Sequence, residues 1–140
     1  MYATFDESLI TGNEMIDRQH QELIDKINKL LKSCEDGSDR IGAIKMLEYL
    51  ADYTEFHFGE EEKLQAEVEY PGLEKHKQKH EELRQVVKDL HQMLREQDGP
   101  SEEFVQKVEE NVIEWLYYHI KTFDRSVAEF IFMREQPERL

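Results

Sequence analysis

Apolar residues recur at steps of three and four along four stretches of the chain, the period of a helix with one buried face. The first stripe runs through Ile16, Leu23, Ile27 and Leu30, and the second through Leu47, Leu50, Thr54 and Leu64. The third runs through Leu73, Leu83, Val87, Leu90 and Leu94, and the fourth through Val105, Val108, Val112, Trp115 and Phe123. The punctuation between them sets the boundaries. Thr11-Gly12-Asn13 precedes a first helix from about Asn13 to Lys32, and the turn cluster Asp36-Gly37-Ser38-Asp39 caps a second that reaches about Ala66. Tyr70-Pro71-Gly72 stops propagation before a third helix over Leu73 to Glu96, because proline removes a donor and glycine permits the turn. After Asp98-Gly99-Pro100, Ser101 is placed to cap a fourth helix that starts near Glu102. Residues 1–12 lack this periodicity and read as an extended arm, and residues 125–140 as a C-terminal helical extension. Long helices on short loops predict an all-α fold, an up-down-up-down antiparallel four-helix bundle with an extended N-terminal arm.

The same stripes carry polar groups. His20 lies in line with Ile16 and Leu23, His57 and Glu61 follow Thr54, His76 and His80 follow Leu73, and His119 follows Trp115. Residues four apart share a helix face, so His57 with Glu61, and His76 with His80, each point two donors inward. Burying such groups without partners costs roughly 2 to 7 kcal/mol apiece. A metal site removes that cost. With Asp124 the donors are five imidazoles and two carboxylates, too many for one ion, so two metals are implied with the carboxylates placed to bridge them. Structural zinc prefers four ligands, usually with thiolates, and Cys34 is alone. Calcium and magnesium take oxygen, whereas imidazole with carboxylate suits iron. The other four-helix di-iron class uses Glu-x-x-His. Here the residues three before each histidine are Asp17, Thr54, Leu73, Lys77, Lys88 and Leu116, and none is Glu. The step from His119 to Asp124 is awkward, since five residues advance about 500° and leave the side chains about 140° apart. Either Asp124 reaches round from the neighbouring face or the helix carries a local wide turn.

Particular strings carry a family resemblance: Ile16-Asp17-Arg18-Gln19-His20, His57-Phe58-x-x-Glu61-Glu62, Tyr70-Pro71, His76-Lys77-x-x-His80, and Trp115-Leu116-x-x-His119-Ile120-x-x-x-Asp124. From about Phe5 to about Val127 the chain resembles the hemerythrins, in particular the single-domain bacterial kind. The resemblance implies two iron ions (Fe2+/Fe3+) joined by an oxo or hydroxo bridge. His76, His80 and His119 would hold the six-coordinate iron and His20 and His57 the other, with Glu61 and Asp124 bridging. The five-coordinate iron would leave a position open for O2. Trp115 and Leu116 resemble residues of the family's O2 pocket, and Phe58, Leu23 and Ile24 are further candidates to line it. The chain departs from the family pattern at Phe5, where tryptophan is common, at Gln65, where methionine is common, and at Val127, where tyrosine is common. None of the three is expected to touch a ligand. The function implied is reversible O2 binding for delivery, storage or sensing, without catalysis. The alternative is a redox sensor, or a peroxidase or nitric-oxide-handling enzyme, at the same site.

Composition narrows the partners. A length of 140 residues suits a single domain over 1–140. Thirty-two acidic against 18 basic residues give a net charge of −14, which argues against nucleic acid as a partner. No apolar run approaches the ~20 residues of a membrane span, and no signal pattern opens the chain, so the expected compartment is the cytoplasm. A monomer or weak homo-oligomer is expected. His91 is expected to be a surface or packing residue, and Cys34 a bystander near a helix end. Gly59, inside the second helix, either faces solvent or admits a close helix approach. The apolar tail through Val127, Phe130, Ile131, Phe132 and Met133 needs cover, on the bundle or at a subunit interface.

Overall fold

Three of the four helices begin where a side chain supplies a missing acceptor. In this computed structural model, which describes residues 1–135, Asn13 accepts from the Ile16 amide to start α1, Glu14–Ser33. Asp39 accepts from Gly42 to start α2, Arg40–Glu67. The link to α3, Leu73–Glu96, turns through Glu69 at φ 56° and is tied by the Tyr70 amide donating to the Gln65 carbonyl at 2.8 Å. Ser101 accepts from Phe104 to start the last helix, α4, over 102–135. Among the described residues there is no strand. Successive helices pack on one another as an up-down-up-down bundle requires.

α4 is continuous but not uniform. Its backbone stays helical through two widened turns, Val108–Ile113 and Ile120–Asp124, flanked by ordinary α turns. In them Glu114 donates to the Glu109 carbonyl and Arg125 to the Ile120 carbonyl, five residues back. Such i→i+5 turns are rare in helices. The second explains the awkward spacing: one widened turn brings residues five apart to the same face, so Asp124 follows His119 inward. Of the two alternatives read from the sequence, the wide turn is the one found.

The arm lies along the bundle, interrupted by one 3-10 turn, Glu7–Leu9, capped by Asp6. Ala3 exchanges two hydrogen bonds with the Asn28 side chain, at 2.7 and 2.8 Å. Arg125 donates to the carbonyls of Ser8 and Ile10, and the Asp17 carboxylate accepts from Thr11 and Gly12. Phe5 is half-buried against the main core.

That core includes Leu23, Ile27, Leu30, Leu47, Leu50, Leu83, Leu90, Leu94, Phe104 and Leu116. A smaller apolar cluster joins Ile16, Val127 and Ile131, flanked by Met15, Leu64, Val68 and Tyr70. By helical step, one turn past Ile16, Leu64 and Val127 toward the main core are His20, Glu61 and Asp124. The buried polar residues thus occupy a layer between two apolar layers. The tail is covered on one side only: Val127, Ala128 and Ile131 are buried and the Phe130 ring packs edge-on against Tyr70, while Phe132 and Met133 are exposed. Residues 136–140 of the expected extension lie outside the described residues. Gly59 faces solvent, with nothing within 4 Å of where a Cβ would stand. No helix among the described residues is long and apolar enough to cross a membrane.

Candidate metal centre

The four helices each contribute to one cluster: His20 from α1, His57 and Glu61 from α2, His76 and His80 from α3, and His119 and Asp124 from α4. All seven are at most 2 % exposed. They form two overlapping groups. Ligand atoms of Glu61, His76, His80, His119 and Asp124 lie within 4.8 Å of one another, and so do those of His20, His57, Glu61 and Asp124. Both carboxylates belong to both groups.

Their close approaches have an unusual character. His20 Nε2 lies 2.8 Å from Asp124 Oδ2, and His119 Nε2 lies 3.1 Å from Asp124 Oδ1. His57 Nε2 is 3.2 Å from Glu61 Oε2. Yet His20 Nε2, His80 Nε2, Glu61 Oε2 and both Asp124 oxygens complete no hydrogen bond. Buried polar atoms are nearly always partnered. The atoms converge on common points rather than on one another, and the imidazole nitrogens His76 Nε2 and His119 Nε2 face each other at 3.0 Å. Two cation positions suit that arrangement, since each gives inward-facing lone pairs a shared partner.

Three of the imidazoles are held from behind. His57 Nδ1 donates to Gln19 Oε1 at 2.7 Å, and His80 Nδ1 donates to Glu62 Oε2 at 2.7 Å. Both contacts fix the proton on Nδ1 and free Nε2 for a metal, the usual support for a histidine ligand. Glu62 is in turn near Arg84, whose guanidinium also lies over the Phe58 ring. The third contact is from Gln65, fully buried, whose amide lies 3.1 Å from His76 Nδ1 and 3.4 Å from Glu61 Oε1. The expectation that Gln65 stays clear of the ligand positions is therefore wrong. At four beyond Glu61, on the same inward face, it had to meet them.

Aromatic rings close the sides. Phe58 stacks on His80 with centroids 3.7 Å apart, while Trp115 and Phe123 both stack on the His119 ring, at 4.4 and 5.4 Å. Leu23, Ile24 and Leu116 are buried in the adjoining core. Trp115 is only half-buried, with its Nε1 donating to Glu82 at the surface. Sequence reading overlooked Gln19, Glu62 and Phe123. Gln19 and Phe123 each lie within a helical step of a proposed ligand, a signal that was available; Glu62 is adjacent to Glu61 and reaches a different helix, which spacing alone does not reveal. His91 lies outside the cluster, half-buried, and burial pushes its pKa down.

The electrostatics are opposed within a few ångströms. Burial lowers the pKa of His76, but the carboxylates of Asp124 and Glu61, 2.9 and 2.8 Å from its Nε2, outweigh it and raise it from 6.5 to about 9. His80 falls from 6.5 to about 2, first through burial and then through the neighbouring His76 and His119 imidazoles. Burial would raise Asp124, yet the neighbouring His119 and His20 hold it well below the usual carboxylate range. Five imidazoles and two carboxylates in one dry layer define a metal-binding four-helix protein. The chain belongs to the hemerythrin family: the hemerythrin HHE cation binding domain matches residues 11–131. It is similar to the bacteriohemerythrin of Clostridium acetobutylicum, 32% identical over 119 residues, covering 81% of this chain and 89% of the relative. The bacteriohemerythrin of Aquifex aeolicus is 30% identical over 122 residues, covering 84% and 88%. A solved hemerythrin structure carrying a leucine-to-tyrosine substitution superposes with a TM-score of 0.77 at 26% identity, over 90% of this chain and 94% of that one.

Proposed function

We propose that the protein binds O2 reversibly at a pair of non-haem irons, for delivery, storage or sensing, within a single domain. The observation that carries this reading is the sharing of Glu61 and Asp124 between a three-histidine and a two-histidine group. His76, His80 and His119 would hold one iron and His20 and His57 the other, with the carboxylates and a solvent-derived oxo or hydroxo group between them. The iron with fewer protein ligands would keep a position for a small molecule. Bound iron supplies the reversible electron transfer that O2 binding needs. The protein's part is to fix the imidazole lone pairs on Nε2 and keep the layer dry. Phe58, Leu23, Ile24 and Leu116 exclude water, while Trp115 closes the side nearest the surface. Because neutral imidazoles outnumber carboxylates, the pair is less stabilised in high oxidation states, which favours holding O2 over splitting it.

The test is the visible spectrum of iron-loaded, reduced protein cycled between argon and air. A charge-transfer band that grows in air and vanishes under argon is the expected result. One-way conversion to a stable diferric spectrum would replace the reading with redox sensing or catalysis, and the absence of any iron-dependent band would remove the di-iron assignment.

A further inference from the structure

Among the described residues, Gln65 is the only one of the ten buried polar side chains that touches cluster residues from two helices, His76 on α3 and Glu61 on its own α2, without belonging to either donor group. Its amide nitrogen faces His76 Nδ1 at 3.1 Å and its Oε1 is buried with no partner. The two ends of an amide exchange by a half-turn about its last bond. An imidazole that gives Nε2 to a metal is neutral and carries its proton on Nδ1, so a ligated His76 presents Gln65 with a donor. The half-turn then gives that proton and the orphaned oxygen to each other. In exchange the amide nitrogen leaves its long 3.4 Å contact with Glu61 and takes the position in which Oε1 has no partner.

We propose that Gln65 is a positioning residue for the metal centre, its amide oxygen accepting the Nδ1 proton of His76 and so fixing that ring's tautomer and aim. This rests on His76 being a metal ligand, as proposed above. It gives the three supported histidines different backing: a carboxylate, Glu62, behind His80 and neutral amides, Gln19 and Gln65, behind His57 and His76. A carboxylate acceptor raises the basicity of its imidazole more than an amide does. His80 and His76, although adjacent on one helix face, are thereby unequal donors.

The experiment compares wild type with Gln65→Met, which keeps the length and approximate volume of the side chain but removes both amide atoms. Fe(II) is titrated anaerobically against a competing chelator. The exchangeable Nδ1–H resonances, shifted by the iron, are then followed by proton NMR. Loss of an outer partner typically weakens metal affinity 10- to 100-fold, so a fall of about tenfold or more is expected in the variant. One Nδ1–H resonance should shift and exchange with solvent faster while the others hold. Unchanged affinity and unchanged resonances would overturn the proposal and reduce Gln65 to filler. Movement of all the resonances together would also overturn it, since it would mark a loosened core. Should the variant not fold, wild type alone decides: a His76 Nδ1–H that exchanges as fast as those of the unsupported His20 and His119 rules the hydrogen bond out. Failure of wild type to take up Fe(II) would overturn the ligand assignment itself, a result distinct from each of these.

Discussion

At the scale of single residues the cluster separates donors that its two groups share from donors that they do not. Glu61 and Asp124 each belong to both donor groups, whereas His80 belongs to one. If two ions are held, Glu61→Ala should abolish tight binding of both together, and His80→Ala should weaken one and leave about one equivalent bound. Iron analysis after desalting checks this, and loss of a single equivalent from Glu61→Ala would contradict the shared role. Gly59 lies beside these residues in sequence but takes no part. Its exposed position in mid-helix has open space where a Cβ would go, so Gly59→Ala should stabilise the protein by about 0.5–1 kcal/mol. Urea denaturation of the iron-free form is the measurement, and iron stoichiometry should not change. Six of the seven clustered side chains were readable in the sequence because they keep the apolar step of their helices, whereas Asp124, five beyond His119, does not. The approach of Gln65 to Glu61, four residues along α2, was readable in the same way, but its contact with His76 was not, because that depends on how α3 is set against α2.

The elements show the same division. Helix boundaries followed from local signals: Asp39, within the turn cluster, and Ser101 cap the helices they were placed to cap, and Asn13, read as the approximate start of the first helix, is its cap. The interior of α4 was half legible. The five-residue step from His119 to Asp124 signalled a choice between a reaching side chain and a widened turn, and the turn is what forms. The earlier widened turn, Val108–Ile113, has no such marker, since no pair of polar residues there has to share a face. If the second turn serves to absorb the fifth residue between His119 and Asp124, removing one residue from it should restore an ordinary helix with Asp124 four beyond His119 and within about 40° of its face. Deleting Lys121, which is exposed, is the least disruptive choice. The expected outcome is that both irons are kept, because Asp124 still faces both groups, and that Val127 and Ile131 stay in their cluster. Far-UV circular dichroism should keep its helical signal. Loss of both irons from the deletion would show that the widened turn itself, and not only the face it restores, is needed to aim Asp124.

For the whole molecule, the opposed titrations of the cluster set how stability depends on pH when no metal is bound. His76 has its pKa raised from 6.5 to about 9. Its protonated form therefore favours the fold fully below 6.5, and that contribution fades as pH rises through about 9. His80 has its pKa lowered from 6.5 to about 2. Its neutral form favours the fold above 6.5, and this contribution shrinks as pH falls below that value. Asp124, held well below the ordinary carboxylate range, adds a further loss on the acid side only. The iron-free protein should thus be most heat-stable near pH 6.5, falling on both flanks for different reasons. Metal changes one flank, because a coordinated His76 cannot keep both protons and must release one on binding. Iron uptake a little above pH 7 should therefore acidify a weakly buffered solution, and the loaded protein should lose the alkaline decline while gaining stability throughout. Melting curves across pH, with and without iron, test both points. An iron-free protein that grew steadily more stable up to pH 9 would mean that His76 is neutral in the folded chain, and that the carboxylates of Glu61 and Asp124 find their counter-charge elsewhere.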